Sequence, residues 1–351
     1  MKPKFKYLLF FMVALQVFLS ACQSNQLPSE PIPSDEPLGR FAFLLGTTCN
    51  IRLYDIKSEE ILDKAFARIV EIEERLSSNA EGTEIDMINN NAGIQKVHVS
   101  DDTIAVIKKG LEFAGHSDGA FDISIGPLVR LWNIGFEGAR VPAQYEIDAV
   151  LPLIDYNDIE IDEVEKSVFL KRGNMRLDLG AVAKGYVADE VAKVLVDNGV
   201  NSAIIDLGGN IYTVGSKDGN KPWVIGVQDP FDTRGAYIGT IRYSNKSFVT
   251  SGMYERYLEQ DGVRYHHLLN PHTGYPFEND IAGVTIISDY SVDGDCLSTV
   301  TYSKDVMEGM QLIESLENIE AIFVTFDNKI YISSGLRGNF MLTNTEYELQ
   351  N

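Results

Sequence analysis

Cysteine is scarce in this 351-residue chain: it occurs only at positions 22, 49 and 296. That is too few for a disulfide framework, and Cys49 and Cys296 are expected to be free, buried thiols. Positive charge is also short. The chain has 30 Lys and Arg against 51 Asp and Glu, a formal net charge of −21. This balance argues against nucleic acid or an anionic bilayer as the main partner. An acidic protein still accepts an anionic ligand when a cation lies between them. No GxGxxG and no Walker motif occurs, which weakens Rossmann and P-loop readings. Beyond residue 37 there is no internal repeat and no low-complexity segment.

What is present begins with a leader. Lys2, Lys4 and Lys6 precede an apolar run from Tyr7 to Leu19, and Ser20-Ala21 leads into Cys22. Residues 1–21 read as a secretory signal peptide. The cysteine after them reads as a lipobox cysteine, with cleavage before Cys22 and lipidation of its sulfur. A membrane-anchoring helix is the other reading, for which the run is short. Loss of residues 1–21 removes three lysines and no acid, leaving −24. Residues 22–38, rich in proline, serine and acids, form the lipidated N-terminus and a flexible tether. The folded domain is expected over 39–351. The protein is thus expected to be lipid-anchored to a bacterial membrane, facing the periplasm or the extracytoplasmic side.

Hydrophobic spacing gives the elements. Residues 41–56 alternate as a strand, and 58–79, 101–117 and 187–198 carry helical spacing, the last closed by Gly199. Residues 84–91 and 144–153 are shorter helices, 159–171 a hairpin, and 119–138 a loop-dominated wall. From 203 onward strands dominate, interrupted by helices over 294–304 and 307–315. Partly segregated helices and hairpin-linked strands predict an α+β fold with mixed, mainly antiparallel sheets and packed helices.

Four stretches hold the chemistry. Residues 177–189 read as the end of a buried strand, a glycine-containing turn and a helix start, with Asp178 and Lys184 at the handover. A helix N-terminus offers free N–H groups and a positive dipole end, which suits a phosphate-bearing ligand. In residues 293–299, Asp295 and Thr299 are four apart and share a helix face if Gly294 opens a helix. A carboxylate and a hydroxyl so placed reach one hard cation such as Mg²⁺. A plain helix-terminal charge is the alternative role for Asp295. Residues 118–136 combine glycines, Pro127, Asp122, Phe121, Trp132 and Phe136, which suits either a wall over a flat ring or a loop packed on aromatics. Residues 265–274 hold three of the five histidines. His266 and His267 point to opposite strand faces, so at most one serves a given site. Their spacing does not resemble a zinc site, and a structural role remains open for both.

In this order the segments resemble the ApbE family of bacterial lipoproteins, whose members are FAD:protein FMN transferases. The resemblance covers about residues 41–332. It rests on Leu45-Gly46-Thr47, Leu76-Ser77 with Thr83-Glu84-Ile85, Gly119 through Asp122, Gly126-Pro127-Leu128 with Leu131-Trp132 and Gly135-Phe136, Asp178 through Tyr186, Gly208-Gly209, Thr250-Ser251-Gly252, His267 through Gly274, and Asp295 with Thr299. It implies an ApbE-like, T-fold-related architecture, with FAD as substrate and Mg²⁺ as cofactor. By position it implies FAD contacts at Leu45, Ala120, Phe121, Asp122, Asp178, Lys184 and Leu269. Asn79 stands where a tyrosine often stacks on the bound FAD. The implied metal ligands are the carbonyls of Ala181 and Ser298, the carboxylate of Asp295 and the hydroxyl of Thr299. His267, together with Asp295, is the implied catalytic group, assisting proton transfer. The implied reaction moves FMN from FAD to a threonine hydroxyl on a flavin-acceptor protein of a membrane redox complex, with release of AMP. Hydrolysis of FAD to FMN and AMP, or FAD binding without turnover, are the alternatives. Nucleic acid is not an expected partner.

Overall fold

The computed structural model describes residues 36–350 apart from position 218; the expected signal peptide, Cys22 and the expected tether up to residue 35 lie outside the described residues. Strand β1 (Leu38–Leu44) and strand β2 (Thr47–Leu53) form an antiparallel hairpin with Leu44 opposite Thr47. Leu45 and Gly46 both have positive φ, 55° and 68°. That is the two-residue hairpin turn whose twist matches the flanking strands. The single strand expected over 41–56 is therefore two, because a leucine fills the turn position where Asn or Asp usually signals it.

The hairpin starts a nine-stranded sheet. Its other members are β3 (Ser202–Leu207), β4 (Asn210–Gly215), β5 (Ser247–Gly252), β6 (Ile281–Ser288), β7 (Glu320–Thr325), β8 (Lys329–Ile332) and β9 (Glu348–Leu349). The nine lie side by side in chain order. Every pair is antiparallel except β8 with β9. The α+β architecture is as the sequence predicts. A three-stranded sheet includes Trp223–Gln228 and Tyr237–Tyr243, a second three-stranded sheet forms around Ser167–Leu170, and a two-stranded one includes Val263–His266.

Eight α-helices are described: α1 (Glu59–Leu76), α2 (Glu84–Asn90), α3 (Asp101–His116), α4 (Gly126–Trp132), α5 (Gln144–Val150), α6 (Ala183–Asp197), α7 (Ser291–Tyr302) and α8 (Val306–Glu314). Side-chain caps fix several starts. Ser58, Thr83, Ser100 and Asp305 accept from the N–H groups of Ile61, Asp86, Thr103 and Glu308. Ile51, Leu62, Ile69, Val191, Val284 and Val300 share one core between sheet and helices. Trp223, Ile238, Phe248 and Ile322 share a second, with the small sheet. All eight residues of β6 are buried.

Four boundaries differ from expectation. The wall over 119–138 contains α4, whose Pro127 lies in the first turn, where the missing N–H costs nothing. Residues 177–179 belong to no strand; only Arg176 bridges, to Ile125. Helix α6 begins four residues before 187, and α7 begins three before Gly294. Gly294 is needed for packing: a Cβ there would lie 2.9 Å from Val249. Cys49 and Cys296 are free and buried. No helix among the described residues is long and apolar enough to cross a membrane.

Chain reversals gather at one end of the sheet. The Gly208-Gly209 turn abuts Thr47, whose Oγ1 would lie 2.1 Å from a Cβ on Gly208. Ser251 and Gly252 close β5 beyond the last β4 partner, Asn210.

Candidate active site

The site is built where α6 and α7 cross. Gly185 permits the approach: a Cβ there would fall 2.4 Å from the Ser291 carbonyl oxygen. Each helix caps the start of the other. Asp295 Oδ2 accepts from the Gly185 N–H at 2.9 Å. Asp189 accepts from the N–H groups of Ser291 at 2.7 Å and Val292 at 2.9 Å. The buried Asp295 and the half-buried Asp189 satisfy helix N-terminal donors that no intrahelical carbonyl reaches. Burial pushes the Asp189 pKa up to about 7; the two N–H bonds oppose that rise and the charges of Asp293 and Asp295 add to it.

Asp295 is 3% exposed. Its Oδ1 faces Lys184 Nζ at 3.6 Å, and Nζ also donates to the Gly180 carbonyl at 3.3 Å. Ala181 precedes the Val182 N-cap, so the Gly185 N–H, in the first turn of α6, has no helical carbonyl to bond. Here it turns to Asp295, and the Ala181 oxygen is left without a backbone donor. The preceding turn is held from several sides. Asp178 accepts from the Gly180 N–H at 2.9 Å and the Ser78 hydroxyl at 3.4 Å, and its own N–H donates to Ile123. The Asn89 side chain clamps Leu177 through both its N–H and its carbonyl.

One turn along α7, Ser298 Oγ donates to the Asp295 carbonyl at 2.8 Å and pairs with Ser251 Oγ at 2.8 Å, fastening α7 to β5. Thr299 is half-buried beside it. Among the described residues no group of three or more His, Cys, Asp or Glu could hold a metal. The donors offered by Asp295, Thr299 and the carbonyls of Ala181 and Ser298 are all oxygen, with one carboxylate. That set fits Mg²⁺, which binds few protein carboxylates and completes its shell with water and substrate phosphate. The free Ala181 oxygen is the structural sign of that fit.

His267 follows the strand Val263–His266. Its N–H and its Nδ1 both lie 3.1 Å from the Arg256 carbonyl oxygen. A carbonyl only accepts, so Nδ1 carries the hydrogen and Nε2 keeps its lone pair. Burial pushes the ring's pKa down to about 4. The Arg256 carbonyl opposes the fall, and the charges of His266, Arg256 and Lys184 add to it. His266 is structural: its Nε2 lies 2.9 Å from the Phe277 carbonyl and its ring meets Tyr302 edge-on.

Arg256 is a candidate site residue that sequence reasoning missed. Its guanidinium lies 5.8 Å over the Phe136 ring, and Gly135 and Gly46 both back onto its side chain. It thereby joins the β1–β2 turn, the loop after α4 and His267. Its role runs through a carbonyl and tertiary packing, which no local motif signals. Asp189 was missed for the same reason.

The remaining expected residues divide. Leu45 is half-buried in the hairpin turn, its N–H donating to Glu73 at 2.7 Å. Ala120 is half-exposed, while Phe121 is buried edge-on to Phe113. The buried Asp122 carboxylate is fully engaged by the N–H and hydroxyl of Ser124 and the N–H of Tyr156. Burial raises its pKa, and these bonds oppose the rise. Leu269 packs with Trp132 and Ile147 in a separate apolar cluster. Asn79 is exposed on the rim of an open cleft of about 550 Å³ that Ser78, Arg130 and Arg176 also line. Lys184 and Asp295 thus meet at the helix crossing, Asp178 and Ala181 lie in the turn that leads into α6, and Ser298 and Thr299 lie one turn beyond Asp295 on α7. Phe121, Asp122 and Leu269 sit in the packing that shapes the walls.

Fold and site together define an α+β enzyme with its polar centre at two mutually capped helix N-termini. A family model described as the ApbE family matches residues 45–323, and the chain belongs to that family. A protein of Klebsiella pneumoniae named FAD:protein FMN transferase is 40% identical over 308 residues, 88% of this chain and 95% of that one. One of the same name from Treponema pallidum is 32% identical over 328 residues, 89% of this chain and 91% of that one. The crystal structure of the ApbE protein from Thermotoga maritima superposes with a TM-score of 0.80 at 30% identity, over 87% of this chain and 99% of that one. The flavin transferase ApbE from Vibrio cholerae gives 0.77 at 26% identity, with the same coverage.

Proposed function

We propose that this chain is a Mg²⁺-dependent FAD:protein FMN transferase that moves FMN onto a threonine hydroxyl of an acceptor protein and releases AMP. The observation that carries this reading is the crossing of α6 and α7, where Lys184, Asp295 and the unpaired Ala181 carbonyl converge on two helix N-termini. Lys184 and the α6 dipole attract and orient the diphosphate of FAD. Mg²⁺, held by Asp295, Thr299 and the carbonyls of Ala181 and Ser298, supplies neutralisation of phosphate charge when bound. Arg256 fixes His267 with Nε2 unprotonated, ready to accept the threonine hydroxyl proton. The threonine oxygen bonds to the FMN phosphorus, the bond from that phosphorus to the AMP oxygen breaks, and AMP leaves with the electron pair. The enzyme contributes position and charge and forms no covalent intermediate.

Leu45, Ala120 and Asp178 present surface to FAD, while Phe121, Asp122 and Leu269 hold the wall around it. Lipidation at Cys22 keeps the domain at a bacterial membrane on the extracytoplasmic side, within reach of membrane redox complexes. The test is incubation with FAD, Mg²⁺ and a threonine-bearing acceptor. A flavin fluorescent band that survives denaturation supports transfer. AMP release without such a band points to the second reading, hydrolysis of FAD to FMN and AMP. The exposed Asn79 beside an open cleft favours that reading, since it leaves room for water.

A further inference from the structure

Among the described residues, strand β1 is an unprotected edge. Among these residues it pairs with β2 alone, leaving its outer side free. Proteins usually blunt such edges with lysine, proline, a bulge or a short strand. The seven residues of β1 contain no lysine and no proline, and their register with β2 is unbroken. Its one charge, Arg40, is turned to the helix side and bound to Glu59 and Asp63 of α1. The opposite face shows Phe41 and Phe43, 77% and 76% exposed. They are two residues, or about 7 Å, apart along the strand. On β2, Asn50 continues this face beside Phe41 into a cleft of about 180 Å³ bordered by Val224.

The edge leads into the active site. β1 runs directly into the Leu45-Gly46 turn, and a Cβ on Gly46 would lie 3.4 Å from the Arg256 guanidinium. The carbonyl of that same Arg256 orients His267. We infer that the acceptor protein docks on β1: an extended segment of it adds as a strand along the free edge, with apolar side chains at alternate positions resting on Phe41 and Phe43. The target threonine then lies in the segment that continues past the Leu45-Gly46 turn, beyond the paired strand. A membrane surface is the other apolar partner such a pair could meet, but the net charge of −21 opposes an anionic bilayer.

The inference rests on the transfer reading, and its test separates the two. Phe41→Ser and Phe43→Ser, singly and together, are made in the full chain. Their exposure keeps folding intact, which an unchanged Tm verifies. FAD affinity is expected to stay within about twofold, while kcat/KM for the acceptor falls roughly tenfold in the double variant, chiefly through KM. A peptide spanning the acceptor threonine inhibits the parent and fails to inhibit the double variant. Transfer by the double variant equal to that of the parent overturns the docking surface alone. So does a loss confined to binding of phosphatidylglycerol vesicles, or to self-association of the chain. A parent chain that transfers no FMN to any acceptor overturns the transfer reading and the docking surface with it.

Discussion

The Gly185 N–H donates to Asp295 Oδ2 at 2.9 Å, across the contact between α6 and α7. This bond does two things. It satisfies a buried donor at the start of α6, and it leaves the Ala181 carbonyl, just before the helix, without a backbone donor. Asp189 returns the arrangement by capping α7. The polar centre and the packing of the two helices are therefore one structure, and changes to it separate into charge effects and capping effects.

Asp295→Asn keeps an acceptor for Gly185 and removes the charge. It is expected to fold with little loss of Tm and to lose FAD turnover on the order of a hundredfold. Asp295→Ala removes the acceptor as well and leaves a buried N–H unsatisfied. It is expected to lose similar activity and, in addition, about 1–3 kcal/mol of stability. Denaturant unfolding alongside AMP release distinguishes the two.

Gly185→Ala tests the crossing. The new Cβ meets the Ser291 carbonyl at 2.4 Å and the Val292 Cα at 2.6 Å, both backbone atoms. Neither can move without shifting α7. A loss of about 1–3 kcal/mol is expected, the usual cost of overpacking. Unchanged thermal unfolding would show that the helices part without penalty.

Histidine and aspartate give opposite pH signatures. His267 falls from its ordinary 6.5 to about 4 on folding. Between those values the unfolded chain binds more protons, so this group makes stability rise with pH and then level off above about 6.5. Asp189 rises from 3.8 to about 7. There the folded chain binds more protons, so its contribution falls as pH climbs through that window. Unfolding free energies from pH 4 to 8 should lose a positive slope in His267→Ala and a negative slope in Asp189→Asn. Transfer by the parent should keep its rate well below pH 6.5, because His267 remains a base there.

Much of this was legible from residues alone. The spacing of Asp295 and Thr299, the handover at Asp178 to Lys184 and the helical spacing over 58–79 and 101–117 are local patterns with local physics. The hairpin at Leu45 was hidden because a leucine adopts φ 55° there. Helix α4 was hidden because its Gly126-Pro127 start also reads as a turn. Arg256 and Asp189 could not be found this way. The first acts through a carbonyl, and the second caps a helix 102 residues further along the chain. Tertiary contacts of that kind leave no periodicity.

Asn79→Tyr restores an aromatic platform on the rim of the open cleft. Stacking on a flat ring contributes about 0.5–1.5 kcal/mol, so FAD should bind severalfold tighter. Acceptor-free release of AMP should fall as water is excluded. Equal affinity and equal hydrolysis in the variant would remove Asn79 from the FAD surface.

The central claim is tested most directly by counting two products in one reaction. Intact mass of the acceptor and free AMP are measured together, with FAD, across a Mg²⁺ titration and after chelation, for the parent chain and for Asp295→Asn. The account predicts covalent FMN with at least an equal amount of AMP for the parent, both abolished by chelation and both nearly absent in Asp295→Asn. Covalent FMN formed at an undiminished rate by Asp295→Asn, or by the chelated parent, would contradict it.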